Sequence, residues 1–209
     1  MNPILIIAGL LVGWLLLRPL LRLAFTGLVA GRVARKVLAG QPDAIHLVPA
    51  GPDAWTDAAY VERCASALHA EGFVDAGTFT VRELPGFVVR LLASAKESLT
   101  AAVYEHPKAG HWCELFYSTD DGMSATFTTS PPTGLAERPG HPVTRLAGGD
   151  TPGLLALARA HQPTGWLTEV RAETAPHCFE EACSEALAWR KSAGISRLEV
   201  VNVARKRAA

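Results

Sequence analysis

The hydrophobic pattern separates a continuously apolar start from a longer part in which apolar and polar positions alternate. Residues 3–17 carry no charged side chain, and apolar residues continue to Phe25 with only Arg18 and Arg22 among them as charges. A helix crosses the bilayer core with about 20 residues, and arginines at its end can extend to the headgroups. The pattern therefore predicts a transmembrane helix, assigned to residues 1–25.

A cleavable signal peptide is the alternative for this segment. It would start with basic residues and end in a small-x-small site before a polar chain, whereas Met1-Asn2-Pro3 is uncharged and more apolar sequence follows. An uncleaved anchor fits better. Basic residues follow the apolar run and none precede it: Arg18, Arg22, Arg32, Arg35 and Lys36. By the positive-inside rule we expect a single-pass protein of the cell membrane, with its N-terminus outside and its C-terminal domain in the cytoplasm.

The next segment, residues 26–52, is predicted as a basic juxtamembrane helix followed by a linker rich in proline and glycine. The pattern over residues 24–38 fits an amphipathic helix on an anionic lipid surface or a plain helical stalk. A soluble domain is then predicted over residues 53–209.

Within that domain, three stretches have apolar residues at helical spacing. The first covers residues 53–69 with Asp53 as the expected N-cap. The second runs from Thr151-Pro152 to about residue 161, and the third covers residues 176–192. Ser196 to Glu199 is a capping-box pattern that predicts a last short helix, with a strand as the alternative.

Between the first two helices the period changes to two, which is typical of strands. Strands are predicted over residues 45–48, 78–84, 99–106, 112–118 and 123–129. Pro85-Gly86 and Asp120-Asp121-Gly122 are expected turns, and residues 87–92 fit either a strand or a helix. Residues 112–118 are apolar on both faces, which indicates an interior strand. The fold class predicted is α+β, with an antiparallel sheet of four to five strands packed against helices on one face.

The formal net charge of zero hides two opposite parts. The first 42 residues carry 5 basic and no acidic side chains, and the remainder carries 15 basic and 20 acidic ones. Such a balance suits a basic segment at an anionic membrane surface beside an acidic domain. It argues against a nucleic-acid partner, because a nucleic-acid-binding domain needs a positive face. The four cysteines have no CxxC spacing and are expected to be buried free thiols, with disulfides as the alternative.

One cluster contains metal-ligand residue types, namely Glu105, His106, His111, Cys113 and Glu114. Two imidazoles and a thiol near one turn suit zinc, but no second ligand pair follows at the spacing of a zinc finger. We therefore predict no metal, no cofactor and no catalytic residue here. Asp120 and Asp121 look like paired carboxylates, but the chemistry of a hairpin turn explains them.

The long connection over residues 130–150 is the leading candidate for a binding surface. Loops longer than about 12–15 residues are uncommon in compact domains and are often functional or disordered. Candidate contact residues within it are Arg138, His141, Arg145, Gly148 and Gly149. The two glycines lead into a helix N-terminus, where backbone N–H groups can hold an anion or simply be capped.

Taken together, these patterns predict a membrane-tethered cytoplasmic domain that binds a protein partner or a small ligand without catalysis. Its expected partners are the bilayer, through the N-terminal helix, and a protein at the membrane. One alternative is a membrane-associated hydrolase that uses His106, His111 or His141 with a carboxylate. Another is a lipid-handling domain.

Overall fold

The computed structural model describes residues 34, 36, 38–146, 148–196, 198–200 and 202–203. These described residues divide into two compact units. The larger unit lies within Pro42–Pro132 and Ala136–Arg190, and the smaller lies within Met1–Gln41, Thr133–Leu135 and Lys191–Ala209.

The larger unit is built on one seven-stranded sheet whose strand order follows the sequence. The strands are β1 Leu47–Pro49, β2 Val74–Val81, β3 Leu84–Ser94, β4 Leu99–His106, β5 Gly110–Ser118, β6 Ser124–Thr128 and β7 Val143–Arg145. All neighbours are antiparallel except β6 and β7, which are parallel. The prediction of four to five purely antiparallel strands is therefore wrong: the sheet is larger and mixed. A three-residue strand such as β7 is too short to show a period in the sequence. It is a strand because it pairs with β6.

Helices cover both faces of this sheet. A short 3-10 helix, Pro52–Ala54, precedes α1 (Ala58–Ala70), and α2 (Thr151–Ala160) and α3 (Ala175–Ala193) follow the strands. Leu68 of α1 and Leu154 of α2 share a core with Leu115 and Phe127 on one face. Phe179 of α3 packs with Tyr104 and its neighbours on the other.

The expectation that the helices lie on one face is thus corrected. The central strands are apolar on both sides, so each side requires a covering layer. The predicted interior strand is confirmed, because β5 lies between β4 and β6.

The turn between β2 and β3 lies at Arg82-Glu83, and not at Pro85-Gly86 as predicted. Val81 pairs with Leu84, so Pro85 and Gly86 belong to β3. Gly86 has φ +80°, and a Cβ atom there would lie 2.7 Å from Cγ of Pro107. A positive φ and this close approach both require glycine, so Gly86 marks an irregular strand position.

The N-cap of helix α1 lies four residues later than predicted. Asp57 is the N-cap, and its side chain accepts a hydrogen bond from the Tyr60 backbone N–H at 3.0 Å. Asp53 lies in the preceding 3-10 helix. The backbone N–H of Asp57 donates to the buried Glu105 carboxylate, which fixes where the helix starts.

We expect Asp57→Ala to lower the free energy of unfolding by about 1 kcal/mol, because an N-cap side chain satisfies an otherwise unpaired helix N–H. The matched control is Asp53→Ala, an exposed residue, which should change stability by less than about 0.5 kcal/mol. Urea unfolding of both variants measures the difference. Equal losses would show that Asp57 does not act as the cap.

The predicted transmembrane helix over residues 1–25 lies outside the described residues. Among the helices that the structure does describe, none combines the length and the apolar character that crossing a membrane requires. The transmembrane, single-pass part of the fold prediction is therefore not supported by the structure, which shows instead a sheet-rich domain.

The smaller unit contains the predicted capping box. The Ser196 backbone N–H donates to Glu199 Oε2 at 2.7 Å, and the Glu199 backbone N–H donates to Ser196 Oγ at 3.2 Å. Residues 198–200 and 202–203 are helical, so the helical prediction for this stretch is confirmed over its strand alternative.

Candidate functional site

A cleft of about 620 Å³ opens beside the turn that joins β5 to β6. Three chain segments line it, namely the hairpin over residues 119–125, the connection at residues 140–142, and the loop at residues 163–166. We refer to it as the hairpin cleft. Its volume lies within the range of about 300–1,000 Å³ that is common for small-molecule sites.

The loop that forms one wall is fixed to the end of β5. The Asp120 N–H donates to the Trp166 carbonyl at 3.2 Å, and the Thr168 N–H donates to the Ser118 carbonyl at 2.9 Å. The Thr168 hydroxyl also donates to Asp120 Oδ1 at 3.0 Å. Although its backbone is held in this way, the Trp166 side chain is 85% exposed. The cleft thus has an indole ring at its edge, on an ordered main chain.

The opposite wall is fixed to β6 in the same manner. The Ser124 N–H donates to the Gly140 carbonyl at 3.3 Å, and the Thr126 N–H donates to the Pro142 carbonyl at 3.0 Å. Met123 lies against Gly140, where a Cβ atom would be 3.4 Å from Met123 Cγ. Both walls therefore depend on pairing with the β5–β6 hairpin.

His141 lies within this second wall and contacts a serine that lines the cleft. Its Nδ1 is 2.7 Å from Ser124 Oγ. Partial burial lowers the pKa of His141, and the nearby Arg138 charge lowers it further against the opposing effect of Glu185. The ring is therefore neutral near pH 7, and a neutral imidazole can accept a proton.

The charged side chains that line the hairpin cleft are acidic. Asp120 and Asp121 belong to its lining, which includes no lysine or arginine. Hydrogen bonds from the Thr119 hydroxyl and the Met123 N–H lower the pKa of Asp121, so this carboxylate is ionised at neutral pH. The cleft thus combines apolar walls, an exposed indole and negative charge.

A row of polar residues crosses three strands on the face that carries α3. Glu114 pairs with Thr128, and Thr128 pairs with Arg145. Removal from water raises the pKa of Glu114, although Thr128, Tyr104 and the Arg145 charge act in the opposite direction. Arg145 donates to Glu137 at 2.7 Å. Among the described residues its buried Nε has no hydrogen-bond partner. The row links β5, β6 and β7.

The structure brings three of the five sequence-predicted contact residues into one region. Arg138 forms an ion pair with Glu185 of α3 at 3.4 Å, His141 contacts Ser124, and Arg145 lies on β7.

The predicted contacts Gly148 and Gly149 lie in the turn between β7 and α2, where the Gly149 N–H donates to the Leu146 carbonyl. Asp150 caps α2 by accepting from the Gly153 N–H at 2.9 Å. Because this carboxylate already places negative charge at the helix start, capping explains the two glycines better than an anion site.

The histidines near Glu105 have structural contacts. His106 Nδ1 accepts from the Lys108 and Ala109 N–H groups at 3.1 Å, which closes the β4–β5 turn. His111 Nε2 is 3.2 Å from Glu105 Oε2, and its ring contacts Tyr60. No group of three metal-ligating side chains occurs in the part of the chain that is described. Cys113 is buried in the core, where burial raises the pKa of its thiol.

Comparison with known proteins finds no matching family model, curated protein or solved structure.

Sequence reasoning missed Trp166, Met123 and Ser124 as parts of a site. Trp166 follows Pro163-Thr164-Gly165 in a loop between two helices. A large aromatic residue directly after such a Pro–Gly stretch is a signal for exposure that could have identified the loop.

Proposed function

We propose that the larger unit binds a small organic ligand in the hairpin cleft, and that this ligand has an apolar body and carries a positive charge. The observation that carries the proposal is the 85% exposed Trp166 beside a cleft of about 620 Å³. The indole ring of Trp166 is exposed to water although its backbone is fixed. A ligand that covers this ring removes apolar surface from water, which stabilises the complex.

The distribution of exposed apolar residues favours a small ligand over a broad protein interface. Two of the large apolar side chains exposed in the described residues, Met123 and Trp166, lie at the cleft. The others belong to separate elements: Val48, Val74, Leu84 and Leu198. A stable protein interface requires a continuous patch of about 800 Å² on each partner. A protein partner for this chain stays a prediction.

Charge decides the ligand class. Asp120 and Asp121 attract a cation and repel a carboxylate, while the Trp166 ring face attracts a cation through its quadrupole. An ammonium group attached to an aromatic or aliphatic body satisfies all three side chains. Benzyltrimethylammonium and phenylacetate are suitable probes, because they share an aromatic ring and differ in the sign of their charge.

We expect benzyltrimethylammonium to shift the Trp166 indole N–H signal in NMR spectra of the full chain saturably, and phenylacetate to leave it unchanged. Trp166→Phe assigns the signal. Trp166→Ala should weaken the affinity for the cation about tenfold, measured by isothermal titration calorimetry, which corresponds to about 1.4 kcal/mol. Since the side chain is exposed, stability should change by less than about 0.5 kcal/mol.

Val74→Ala is the matched control, because Val74 is 59% exposed and lies outside the cleft. It should leave the affinity unchanged. If neither probe shifts the Trp166 indole N–H signal, the proposal is refuted. A response to phenylacetate equal to that of the cation would refute the assigned ligand charge.

A further inference from the structure

We propose that Ser124 and His141 form a nucleophile–base pair that transfers acyl groups from esters held in the hairpin cleft. The inference rests on the proposed function, because the cleft must hold the ester. Ser124 belongs to the cleft lining, and His141 lies between the lining residues Gly140 and Pro142. The distance of 2.7 Å between Ser124 Oγ and His141 Nδ1 suits proton transfer from the hydroxyl to the ring.

The serine–histidine contact is not needed to hold the wall of the cleft. Three main-chain hydrogen bonds already fix this segment: Ser124 N–H to Gly140, Thr126 N–H to Pro142, and His141 N–H to Arg138. Pairing between β6 and β7 then fixes the following residues. A side-chain bond that adds little to this anchoring, at the edge of a ligand-sized cleft, fits a chemical role better than a structural one.

The groups around His141 are also those that a base requires. Glu185 of α3 places a negative charge near the ring, and Arg138 holds Glu185 through an ion pair at 3.4 Å. A carboxylate near a histidine stabilises the imidazolium that forms when the ring accepts a proton. Partial burial of the ring, together with the Arg138 charge, opposes this effect and lowers the pKa of His141, so that the resting ring is neutral.

The reaction that follows is an ordinary two-step ester hydrolysis. Ser124 Oγ attacks the ester carbonyl carbon while its proton moves to His141 Nδ1. The bond to the alcohol oxygen breaks, and the departing alkoxide takes that proton. Water then cleaves the acyl–serine ester, with His141 again accepting and returning the proton, which releases the acid and restores the serine. The acidic lining predicts esters that carry a positive charge on the alcohol part.

The test uses two acetyl esters of phenols with opposite charges, 4-acetoxy-N,N,N-trimethylanilinium and 4-acetoxybenzoate. Each is incubated with the full chain, release of the phenol is followed by absorbance, and acetylation of Ser124 is followed by peptide mass spectrometry. We expect the cationic ester to acetylate Ser124. His141→Gln should slow this acetylation by about 100-fold, since a general base contributes about 10²–10⁴-fold.

Glutamine at position 141 keeps a hydrogen-bonding group near Ser124 but cannot act as a base. A purely structural role of His141 therefore predicts equal acetylation in the wild type and His141→Gln, and that result would overturn the inference. Absence of both phenol release from the cationic ester and an acetyl group on Ser124 would also overturn it. If benzyltrimethylammonium still shifts the Trp166 signal in that case, the proposed binding function stands. Acetylation of Ser124 without a Trp166 response would refute the binding proposal alone.

Discussion

Replacement of Phe127 by alanine should lower the free energy of unfolding by about 3–5 kcal/mol. Phe127 is 2% exposed and lies on β6, in the core that α1 and α2 cover. Its ring meets the Tyr117 ring edge to face, with centroids 6.3 Å apart. The substitution removes the ring, leaves a cavity between the sheet and α2, and eliminates this aromatic contact.

Urea unfolding monitored by circular dichroism measures the loss. Phe127→Leu keeps most of the apolar volume and should lose clearly less. Met123→Ala is the control on the same hairpin, because Met123 is 47% exposed; it should cost less than about 0.5 kcal/mol. A small effect of Phe127→Ala would show that β6 is not packed as described.

Replacement of Glu105 by alanine should lower the free energy of unfolding by about 3 kcal/mol. The Glu105 side chain is 8% exposed, and its carboxylate accepts from the Thr56 N–H at 3.0 Å and the Asp57 N–H at 3.1 Å. The Thr56 hydroxyl and His111 are further partners. Without the carboxylate, the turn before α1 loses the acceptor for two backbone donors.

The same carboxylate should make stability depend on pH. Burial opposes ionisation of Glu105, but the hydrogen bonds from Thr56, Asp57 and His111 outweigh it and lower its pKa below the ordinary value of 4.5. A group with a lowered folded-state pKa stabilises the fold fully above its unfolded pKa, and this contribution is lost as the pH falls through the folded pKa.

Unfolding midpoints of the wild type and of Glu105→Gln should therefore differ most near neutral pH. The difference should shrink as the pH falls below the ordinary pKa of 4.5 and through the lowered folded-state pKa, where the carboxylate of the wild type takes up a proton. Glu173→Ala, at an exposed position, is the control and should leave the midpoint unchanged. A difference that stays constant with pH would show that the charge of Glu105 contributes nothing.

Sequence patterns identified the three helices and strands β4, β5 and β6, but they left β3 undecided between strand and helix and missed β7. The apolar spacing identified α1, α2 and α3 to within a few residues, because each helix buries one continuous stripe. The strand period likewise identified β4, β5 and β6. The start of α1 was misplaced because Asp53 and Asp57 are equally good caps in isolation. Glu105, which decides between them by binding the Asp57 N–H, is remote in sequence.

The candidate site was also only partly predictable, because its contacts join residues that are remote in sequence. Loop length pointed to residues 130–150; there Arg138 pairs with Glu185 of α3, His141 contacts Ser124, and Arg145 lies on β7. No local pattern indicates that His141 meets Ser124 or that residues 163–166 complete the cleft. These contacts depend on β-pairing between segments that are far apart in the sequence. The predicted localisation stays a prediction.

The parallel pairing of β7 with β6 has a consequence for how the domain assembles. Strands β2 to β6 are joined by short turns, whereas β1 and β7 join the sheet across longer connections, residues 50–73 and 129–142. Closing a loop costs entropy before the contacts that it allows can stabilise the chain. Hairpins between neighbouring strands therefore form early, and β7 joins the sheet late. The residues 140–142 that precede β7 complete the cleft, and binding competence should therefore appear in the last kinetic phase of refolding.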